Sequence, residues 1–217
     1  MQRGIFITFE GSEGCGKSTQ ITRLGETLKQ TGKRILMLRE PGGTELGEQI
    51  RHLLKYFHTA SGMFPETELL LFAASRAQLV REVIEPALSE GCIVLSDRFM
   101  DSTTVYQGVA RKIDASTVET INAFAVGSCL PELTFLLDMD AEVAFQRTLR
   151  RPRSLDAPKD RMEQEPLSFY HAVREGYLAL AKKEPKRIKI INSERPVTEV
   201  QEVIRQTLHE QVHGLFL

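Results

Sequence analysis

Short apolar runs alternate along the chain with longer amphipathic segments. Most of these runs are nearly continuous in Ile, Leu, Val or Phe, which is typical of strands that are buried on both faces of a parallel sheet. The predicted strands are Gly4–Phe9, Arg34–Leu38, Cys92–Ser96, Leu133–Leu137 and Ile188–Ile191. The pattern therefore predicts an α/β protein built on a five-stranded parallel sheet.

The amphipathic segments between these runs predict helices on both faces of the sheet. The predicted helices are Lys17–Thr31, Thr44–Leu54, Glu66–Glu90, Ala115–Val126, Ala141–Leu149, Leu167–Lys182 and Pro196–His213. Three of them have clear start signals, because Asp114 and Asp140 suit N-cap positions and Pro196 suits a first helical turn. Together these elements predict one doubly wound domain that covers residues 1–217.

Residues 150–166 do not continue this pattern. The segment contains three prolines, many charges and little apolar content, so we predict an exposed loop between two helices. Connections of this length are often functional lids. The alternative is a solvated linker, which is the better interpretation of a basic loop taken alone. We expect a lid at about residues 150–166.

The charge balance and the cysteines narrow the functional class. The chain has 28 Lys and Arg against 29 Asp and Glu, a formal net charge of -1, which argues against a basic protein that coats a nucleic acid duplex. Its three cysteines lack the spacing of a disulfide framework or a CxxC metal site. No apolar run approaches the roughly 18 residues of a membrane span. We expect a soluble cytoplasmic protein with neither a membrane nor nucleic acid as partner.

A glycine-rich loop follows the first predicted strand and opens the first predicted helix. Residues 11–18 match the pattern G-x-x-x-x-G-K-[ST] of phosphate-binding loops. Glycines let successive N–H groups point at a phosphate, and the helix presents its positive end to the anion. Lys17 would supply a charge to the β- and γ-phosphates, and Ser18 a hydroxyl to Mg²⁺. An accidental glycine turn is the alternative, which both flanking elements disfavour. The predicted ATP-binding residues are Gly11, Ser12, Glu13, Gly14, Cys15, Gly16, Lys17, Ser18 and Thr19.

Asp97 and Arg98 stand directly after the third predicted strand. A carboxylate at the end of a strand near the phosphate loop can help to hold Mg²⁺, so Ser18 and Asp97 are the candidate metal residues. Arg98 would project from the carboxyl edge of the sheet, where open α/β sheets bind their ligands. The alternative is a surface salt bridge between the two neighbours.

Phe72 and Arg76 are four residues apart on a predicted helix and therefore share a face. An aromatic ring and a guanidinium on one face could stack a flat base and bind its acceptor oxygens. The alternative is that Phe72 belongs to the core, which this evidence taken alone favours. The main apolar stripe of the helix is predicted elsewhere, at Leu70, Ala73, Ala77 and Ile84.

Two loops carry further candidate chemistry. Residues 39–44 follow the second predicted strand, and their glycines could bring the backbone close to a ligand or simply form an ordinary turn. Residues 150–166 carry five basic side chains: Arg150, Arg151, Arg153, Lys159 and Arg161. Arginines from outside the phosphate loop often meet the charge that develops in phosphoryl transfer. Because Gly14 leaves the loop without an arginine, such an external donor is expected.

Taken together, these residues closely resemble the thymidylate kinase family. The resemblance runs in order from about Gly4 to Asn192. The matching segments are Phe9–Thr19, Arg39–Thr44, Ser96–Arg98, Ser102–Thr103 and Tyr106–Gly108, and Asp160–Glu163 looks like the end of the family's lid. The resemblance implies the P-loop NTPase fold. It also identifies the bacterial subtype, which has a basic lid and no arginine in the loop.

The resemblance assigns Lys17, Arg98 and Arg153 as catalytic residues. Arg153 would be the lid arginine that approaches the transferred phosphate, with Arg151 and Arg161 as alternatives. Arg98 would also clamp the acceptor phosphate.

The resemblance further implies a dTMP site of eight residues. In it, Phe72 would stack on thymine, Arg76 would reach its O4, and Tyr106 would lie against the sugar. The site comprises Glu13 (at the 3′-hydroxyl), Arg39 and Arg98 (at the phosphate), Phe72, Arg76, Tyr106, and Thr103 and Gln107 (at the base edge).

The expected reaction is transfer of the ATP γ-phosphoryl group to dTMP, giving dTDP and ADP, with Mg²⁺ as cofactor. The family resemblance also suggests a homodimer. Two alternatives are a deoxynucleoside kinase and a P-loop switch that signals through a partner. The first would need a general base at the end of the third strand, where Ser96 precedes Asp97. The second would need a water-orienting residue, for which the chain offers no convincing candidate.

Overall fold

The computed structural model describes residues 3–57, 62–150 and 160–212. Within these ranges the strands are β1 (Phe6–Glu10), β2 (Ile35–Arg39), β3 (Ile93–Asp97), β4 (Leu133–Asp138) and β5 (Ile188–Asn192). They form one parallel sheet in the order β2-β3-β1-β4-β5. The prediction of a five-stranded parallel sheet is confirmed. Each predicted strand lies within two residues of the observed one.

Helices pack on both faces of this sheet. They are α1 (Lys17–Gln30), α2 (Glu45–Tyr56), α3 (Pro65–Leu79), α4 (Glu85–Ser89), α5 (Met100–Thr103), α6 (Ala115–Val126), α7 (Ala141–Leu149), α8 (Leu167–Lys183) and α9 (Val197–Gln211). Leu24 of α1 and Ile204 of α9 are fully buried against one face, and Leu79 and Ile84 are fully buried against the other. The doubly wound arrangement is therefore confirmed.

The segment predicted as one helix from Glu66 to Glu90 is continuous but not uniform. A π-helical turn at Val80–Ile84 separates α3 from α4. The predicted apolar stripe is wrong at Leu70, which is 57% exposed, whereas Leu69 is buried. The inward face of α3 carries polar side chains as well, including Glu68 and Arg76. Because the prediction assigned the buried face of this helix from apolar residues alone, it placed that face at the wrong angle around the helix axis.

A helical segment between Met100 and Ala110 was not predicted. It begins as α5 and continues as a π-helical stretch, Thr104–Ala110. Gly108 and several β-branched residues disfavour this helix locally. Close packing against α8 stabilises it, since a Cβ on Gly176 would lie 3.0 Å from a methyl group of Val105. Tertiary contact therefore decided this element.

The sheet brings the candidate residues to one edge. β1 is central and fully buried, and its residue Phe9 is paired with Asp97 of β3. The loop after β1 and the residues after β3 thus leave the sheet side by side at its carboxyl edge. This is the position at which open α/β sheets bind ligands.

Candidate active site

A pocket of about 690 Å³ opens at the carboxyl edge of the sheet. Its size is typical of a small-molecule site. Most of the predicted site residues line it: Glu13, Gly14, Gly16, Lys17, Ser18, Thr19, Arg39, Phe72, Asp97, Arg98, Thr103, Tyr106 and Gln107. Gly11, Ser12, Cys15 and Arg76 are not part of the lining, and Arg153 lies outside the described residues.

The loop at residues 11–16 joins β1 to α1 in a conformation that needs its glycines. Gly16 is the N-cap of α1 at φ 94°, in the left-handed region. It carries no side chain to occupy the first N–H groups of the helix, which remain available to an anion. Gly14 has φ 78°, and a Cβ there would lie 2.7 Å from the carbonyl oxygen of Ala144 on α7. Any side chain at position 14 would collide with α7.

Lys17 is placed inside this loop rather than in the core. Its side chain is almost entirely buried, and Nζ donates to the carbonyl oxygens of Gly11 (3.0 Å) and Ser12 (2.8 Å). These contacts hold the ammonium group at the centre of the loop. A phosphate bound there would meet a charge that is already in position.

Ser18 and Asp97 meet as the sequence predicted. The Ser18 hydroxyl donates to Asp97 Oδ2 at 2.7 Å. No group of three or more metal-ligating side chains occurs in the ranges that the structure describes. This donor set fits Mg²⁺, which is usually held by one or two oxygen ligands of the protein together with waters and substrate phosphates.

Arg98 connects the phosphate loop to the opposite wall of the pocket. Its Nη2 pairs with Glu13 Oε1 at 2.6 Å, and Nη1 donates to the carbonyl oxygen of Gly11 at 3.0 Å. The guanidinium also lies over the ring of Tyr106, 5.0 Å from its centre, and the Tyr106 hydroxyl donates to Glu13 Oε2 at 2.6 Å. Arg98 has φ 74°, a conformation that is rare for a non-glycine residue.

The helical segment from Met100 to Ala110 forms the far wall. It brings Thr103, Tyr106 and Gln107 to the pocket at spacings of three and four residues. Phe72 of α3 lines the pocket and is half-buried rather than part of the core. Four of the side chains that were expected to surround the base and the sugar are therefore brought together.

Arg76 lies behind this wall, with a side chain that is only 1% exposed. Its Nε donates to Glu40 Oε2 (2.8 Å), and Nη1 donates to the Thr103 hydroxyl (2.9 Å) and to Asn122 Oδ1 (3.1 Å). Nη2 donates to the carbonyl oxygen of Phe99 at 3.1 Å. The structure thus shows Arg76 supporting Thr103, and its direct contact with a base stays a prediction.

Residues 9–204 match the family model described as Thymidylate kinase. The chain belongs to the thymidylate kinase family. Among related proteins of this family, it is 47% identical to the thymidylate kinase of Chlorobium luteolum, over 95% of this chain and 98% of the relative. It is 49% identical to that of Trichlorobacter lovleyi, over 87% and 89%. The crystal structure of thymidylate kinase from Ehrlichia chaffeensis superposes with a TM-score of 0.75 at 34% identity, covering 95% of this chain and 99% of that one.

Membership of the thymidylate kinase family fixes the fold class and the reaction. The sheet and its helices are the P-loop NTPase fold, and the protein is an enzyme that transfers the γ-phosphoryl group of ATP to dTMP, giving dTDP and ADP. Neither alternative, a deoxynucleoside kinase or a signalling switch, is favoured.

Of the three candidate lid arginines, the structure describes Arg161. Arg151 and Arg153 lie outside the described residues. Arg161 does not line the pocket; its Nε donates to the carbonyl oxygen of Leu54 at 3.0 Å, and its Nη2 contacts Glu68. Of the three, Arg161 is therefore occupied in holding the chain against α2 and α3.

Two arginines of α7 and its C-terminal end reach the pocket. Arg147 and Arg150 line it, and the Cβ of Arg147 is 3.3 Å from where a Cβ of Gly14 would stand. Arg147 was not selected from the sequence. Because α7 lies next to Gly14, it places cations beside a phosphate loop that has no arginine of its own.

A buried carboxylate, Glu10, was also missed. Its Oε1 accepts from the Phe99 backbone N–H at 2.7 Å, and its Oε2 accepts from the hydroxyls of Ser102 (2.6 Å) and Tyr177 (2.7 Å). Burial and the neighbouring Asp101 raise the pKa of Glu10 to about 7, although Arg98 acts in the opposite direction. These contacts hold the backbone next to Arg98 in place. The sequence signal that could have revealed Glu10 is a carboxylate at the end of a buried strand.

Arg39 lies in the pocket, at the carboxyl edge of the sheet, and Arg51 lies in the same wall. Arg39 is half exposed in the pocket and donates to Glu48 at 2.8 Å. Arg51 lines the same wall and donates to the carbonyl oxygen of Pro41 at 2.8 Å. Burial and the nearby Arg39 lower the pKa of Arg51. Two cations on this side of the pocket favour the binding of an anion there.

Proposed function

We propose that the pocket holds ATP on the side of the phosphate loop and dTMP on the side of Phe72 and Gln107. The observation that carries this division is the position of Arg98. Its guanidinium contacts Glu13 of the loop and Tyr106 of the opposite wall at the same time. A cation at this boundary can bind the acceptor phosphate next to the phosphate that is transferred.

In the proposed mechanism the enzyme holds the two phosphates in line and forms no covalent intermediate. Lys17 neutralises charge on the donor side, and Arg98 does so on the acceptor side. Ser18 and Asp97 would hold Mg²⁺, which neutralises the phosphate oxygens of ATP when it is bound. Arg153 stays a prediction as the arginine that meets the transferred group, and the proposed lid at about residues 150–166 would bring it there.

The remaining walls are proposed to recognise the nucleoside. Phe72 would stack on the thymine ring, and Thr103 and Gln107 would face its edge. Tyr106 would lie against the sugar, with its hydroxyl held by Glu13. Because the half-buried Glu13 holds the Tyr106 hydroxyl beside the position proposed for the sugar, we expect a deoxyribose to be preferred over a ribose.

Measuring ADP formation with several acceptors tests this assignment. Turnover should depend on dTMP and be absent with thymidine, which a deoxynucleoside kinase would use, or with no acceptor. Lys17→Ala should lower the rate more than about 100-fold, because a preorganised charge at the reacting phosphates is lost. Lys29→Ala, at the exposed end of the same helix, is the matched control. Full activity of Lys17→Ala would refute the donor-site assignment.

We also propose that the enzyme is a homodimer. α3 and α6 pack side by side and carry exposed apolar side chains, with Phe124 85% and Leu70 57% exposed. Large apolar side chains left in water on adjacent helices are typical of a surface that a partner covers. A second copy of the chain is the partner that the family resemblance suggests.

A cytoplasmic location is proposed as well. The described cysteines are all free thiols, as expected in a reducing compartment where ATP is also available. Among the helices that the structure describes, none is long and apolar enough to cross a membrane.

A further inference from the structure

Glu68 is a fully buried carboxylate in the wall beside the pocket. It receives hydrogen bonds from three residues that are distant in sequence. Gln107 Nε2 donates to Oε1 at 2.8 Å, and Arg111 donates to both oxygens, at 3.2 and 3.4 Å. Arg161 Nη2 contacts Oε2. Of these partners, only Gln107 lines the pocket.

Both oxygens of Glu68 contact guanidinium groups, which can only donate hydrogen bonds. The two oxygens therefore act as acceptors here, and any further group that hydrogen-bonds to them must donate. Gln107 can donate only through its NH₂ group. The orientation of the Gln107 amide is therefore fixed by chemistry, with the NH₂ group towards Glu68.

The carbonyl oxygen of Gln107 is the remaining half of the amide. Among the residues that the structure describes, no hydrogen bond to this oxygen is found, and the Gln107 side chain lines the pocket. The carbonyl oxygen is therefore the acceptor that Gln107 can offer to a ligand in the pocket.

We infer that Glu68 is a positioning residue that sets base specificity by holding this acceptor towards the base edge. Thymine carries a donor, N3–H, between its two carbonyl groups, whereas cytosine carries an acceptor at N3. A fixed carbonyl oxygen pairs with the first and repels the second. The inference rests on the proposed placement of the base against Gln107, and it makes Glu68 the reason why the amide cannot rotate to accept cytosine.

Glu68→Gln tests this role because it keeps the shape of the side chain and can both donate and accept. The Gln107 amide would then be free to turn. We expect the ratio of the dissociation constants for dCMP and dTMP, measured by calorimetry on the full chain, to fall at least about tenfold, the value of one good hydrogen bond exchanged for an unpaired one.

Two controls separate orientation from general damage. dUMP shares N3–H and both carbonyl groups with dTMP, so the ratio of the dissociation constants for dUMP and dTMP should not change in Glu68→Gln. Glu165→Gln removes a second carboxylate that contacts Arg111 but does not touch Gln107. It should leave both ratios at the wild-type value. A fall in both ratios together, or no change in either, would overturn the inference.

Gln107→Met distinguishes a failure of this inference from a failure of the site assignment. If the base does face Gln107, this variant also lowers the ratio of the dissociation constants for dCMP and dTMP. Adding Glu68→Gln to it should then lower this ratio no further. If Gln107→Met leaves the ratio unchanged, the base lies elsewhere and the proposed placement is wrong.

A measurement on the wild-type protein covers the case in which Glu68→Gln does not fold. The side-chain NH₂ signals of Gln107 can be assigned by NMR through their loss in Gln107→Met. The proton that Glu68 accepts should exchange slowly with water and keep its hydrogen bond when dTMP is added. Fast exchange, or transfer of the hydrogen bond to dTMP, would refute the role of Glu68.

Discussion

At the scale of single residues, Arg98 combines an unfavourable backbone with a favourable side-chain position. Its φ of 74° lies where L-residues are disfavoured. The backbone N–H of the next residue is held by Glu10, and Ser96 Oγ donates to the carbonyl oxygen of Arg98 at 2.8 Å. These contacts offset the strain of placing a guanidinium between the two halves of the pocket.

Arg98→Ala should raise the KM for dTMP and lower kcat. A charged hydrogen-bonded contact is worth about 1.5–3 kcal/mol, which corresponds to roughly ten- to a hundredfold. Steady-state kinetics with each substrate varied in turn would measure this, and circular dichroism would check the fold. Arg34→Ala, at an exposed arginine directly before β2, is the control. A change in the KM for ATP alone would contradict the assignment.

The pKa of Glu10 predicts a specific pH dependence of stability. Its folded-state pKa of about 7 lies above the ordinary value of 4.5. Between these two values the folded protein binds more protons at this site than the unfolded chain, so Glu10 makes stability fall as pH rises from about 4.5 to about 7. The free energy of unfolding of the wild type should therefore fall relative to Glu10→Gln over this range. Urea denaturation of both proteins at several pH values would show it, and parallel profiles would contradict it.

At the scale of elements, α2 depends on a threonine cap. Thr44 Oγ1 accepts from the Gly47 backbone N–H at 2.9 Å, and the side chain is buried. The helix carries Arg51 and Lys55 into the pocket wall. The cap therefore fixes the first turn of the helix that places these two cations in the pocket wall.

Thr44→Ala should lower the free energy of unfolding by about 1 kcal/mol, because one N–H at the helix start loses its acceptor. Urea denaturation followed by circular dichroism measures this. Thr27→Ala, a helix-interior threonine in α1, removes a hydroxyl without removing a cap and should change stability by less than ~0.5 kcal/mol. Equal losses in the two variants would show that the cap has no special role.

At the scale of the whole molecule, the apolar side chains on α3 and α6 lead to a prediction about assembly. Phe124→Glu should convert the proposed dimer to a monomer, because it places a charge where the proposed interface buries an aromatic ring. Sedimentation velocity would measure the change. Val197→Glu, on α9, makes the same change at an apolar side chain that is 44% exposed and outside α3 and α6. Identical sedimentation of Phe124→Glu and the wild type would refute the proposed interface.

The sequence by itself determined the features that depend on neighbours along the chain. Runs of apolar residues predicted the five strands, and the spacing of glycines, Lys17 and Ser18 predicted the phosphate loop between a strand and a helix. Such signals are local because strand pleating, helix starts and glycine conformations are set within a few residues. The strand order and the pairing of Phe9 with Asp97 were not predicted, and they are properties of the folded sheet.

Only the tertiary structure decided which polar groups are buried together. Glu10 meets Tyr177 across 167 positions of the chain, and Glu68 meets Arg161 across 93. No spacing in the sequence announces such pairs, because each partner is an ordinary charged or polar residue on its own element. Packing of α8 likewise produced the helical segment from Met100 to Ala110 against its local preference. The local sequence pattern therefore predicted the chemistry of the phosphate loop. The orientation of the polar groups around the loop required the fold, since most buried polar atoms pair with whichever partner the tertiary structure brings close.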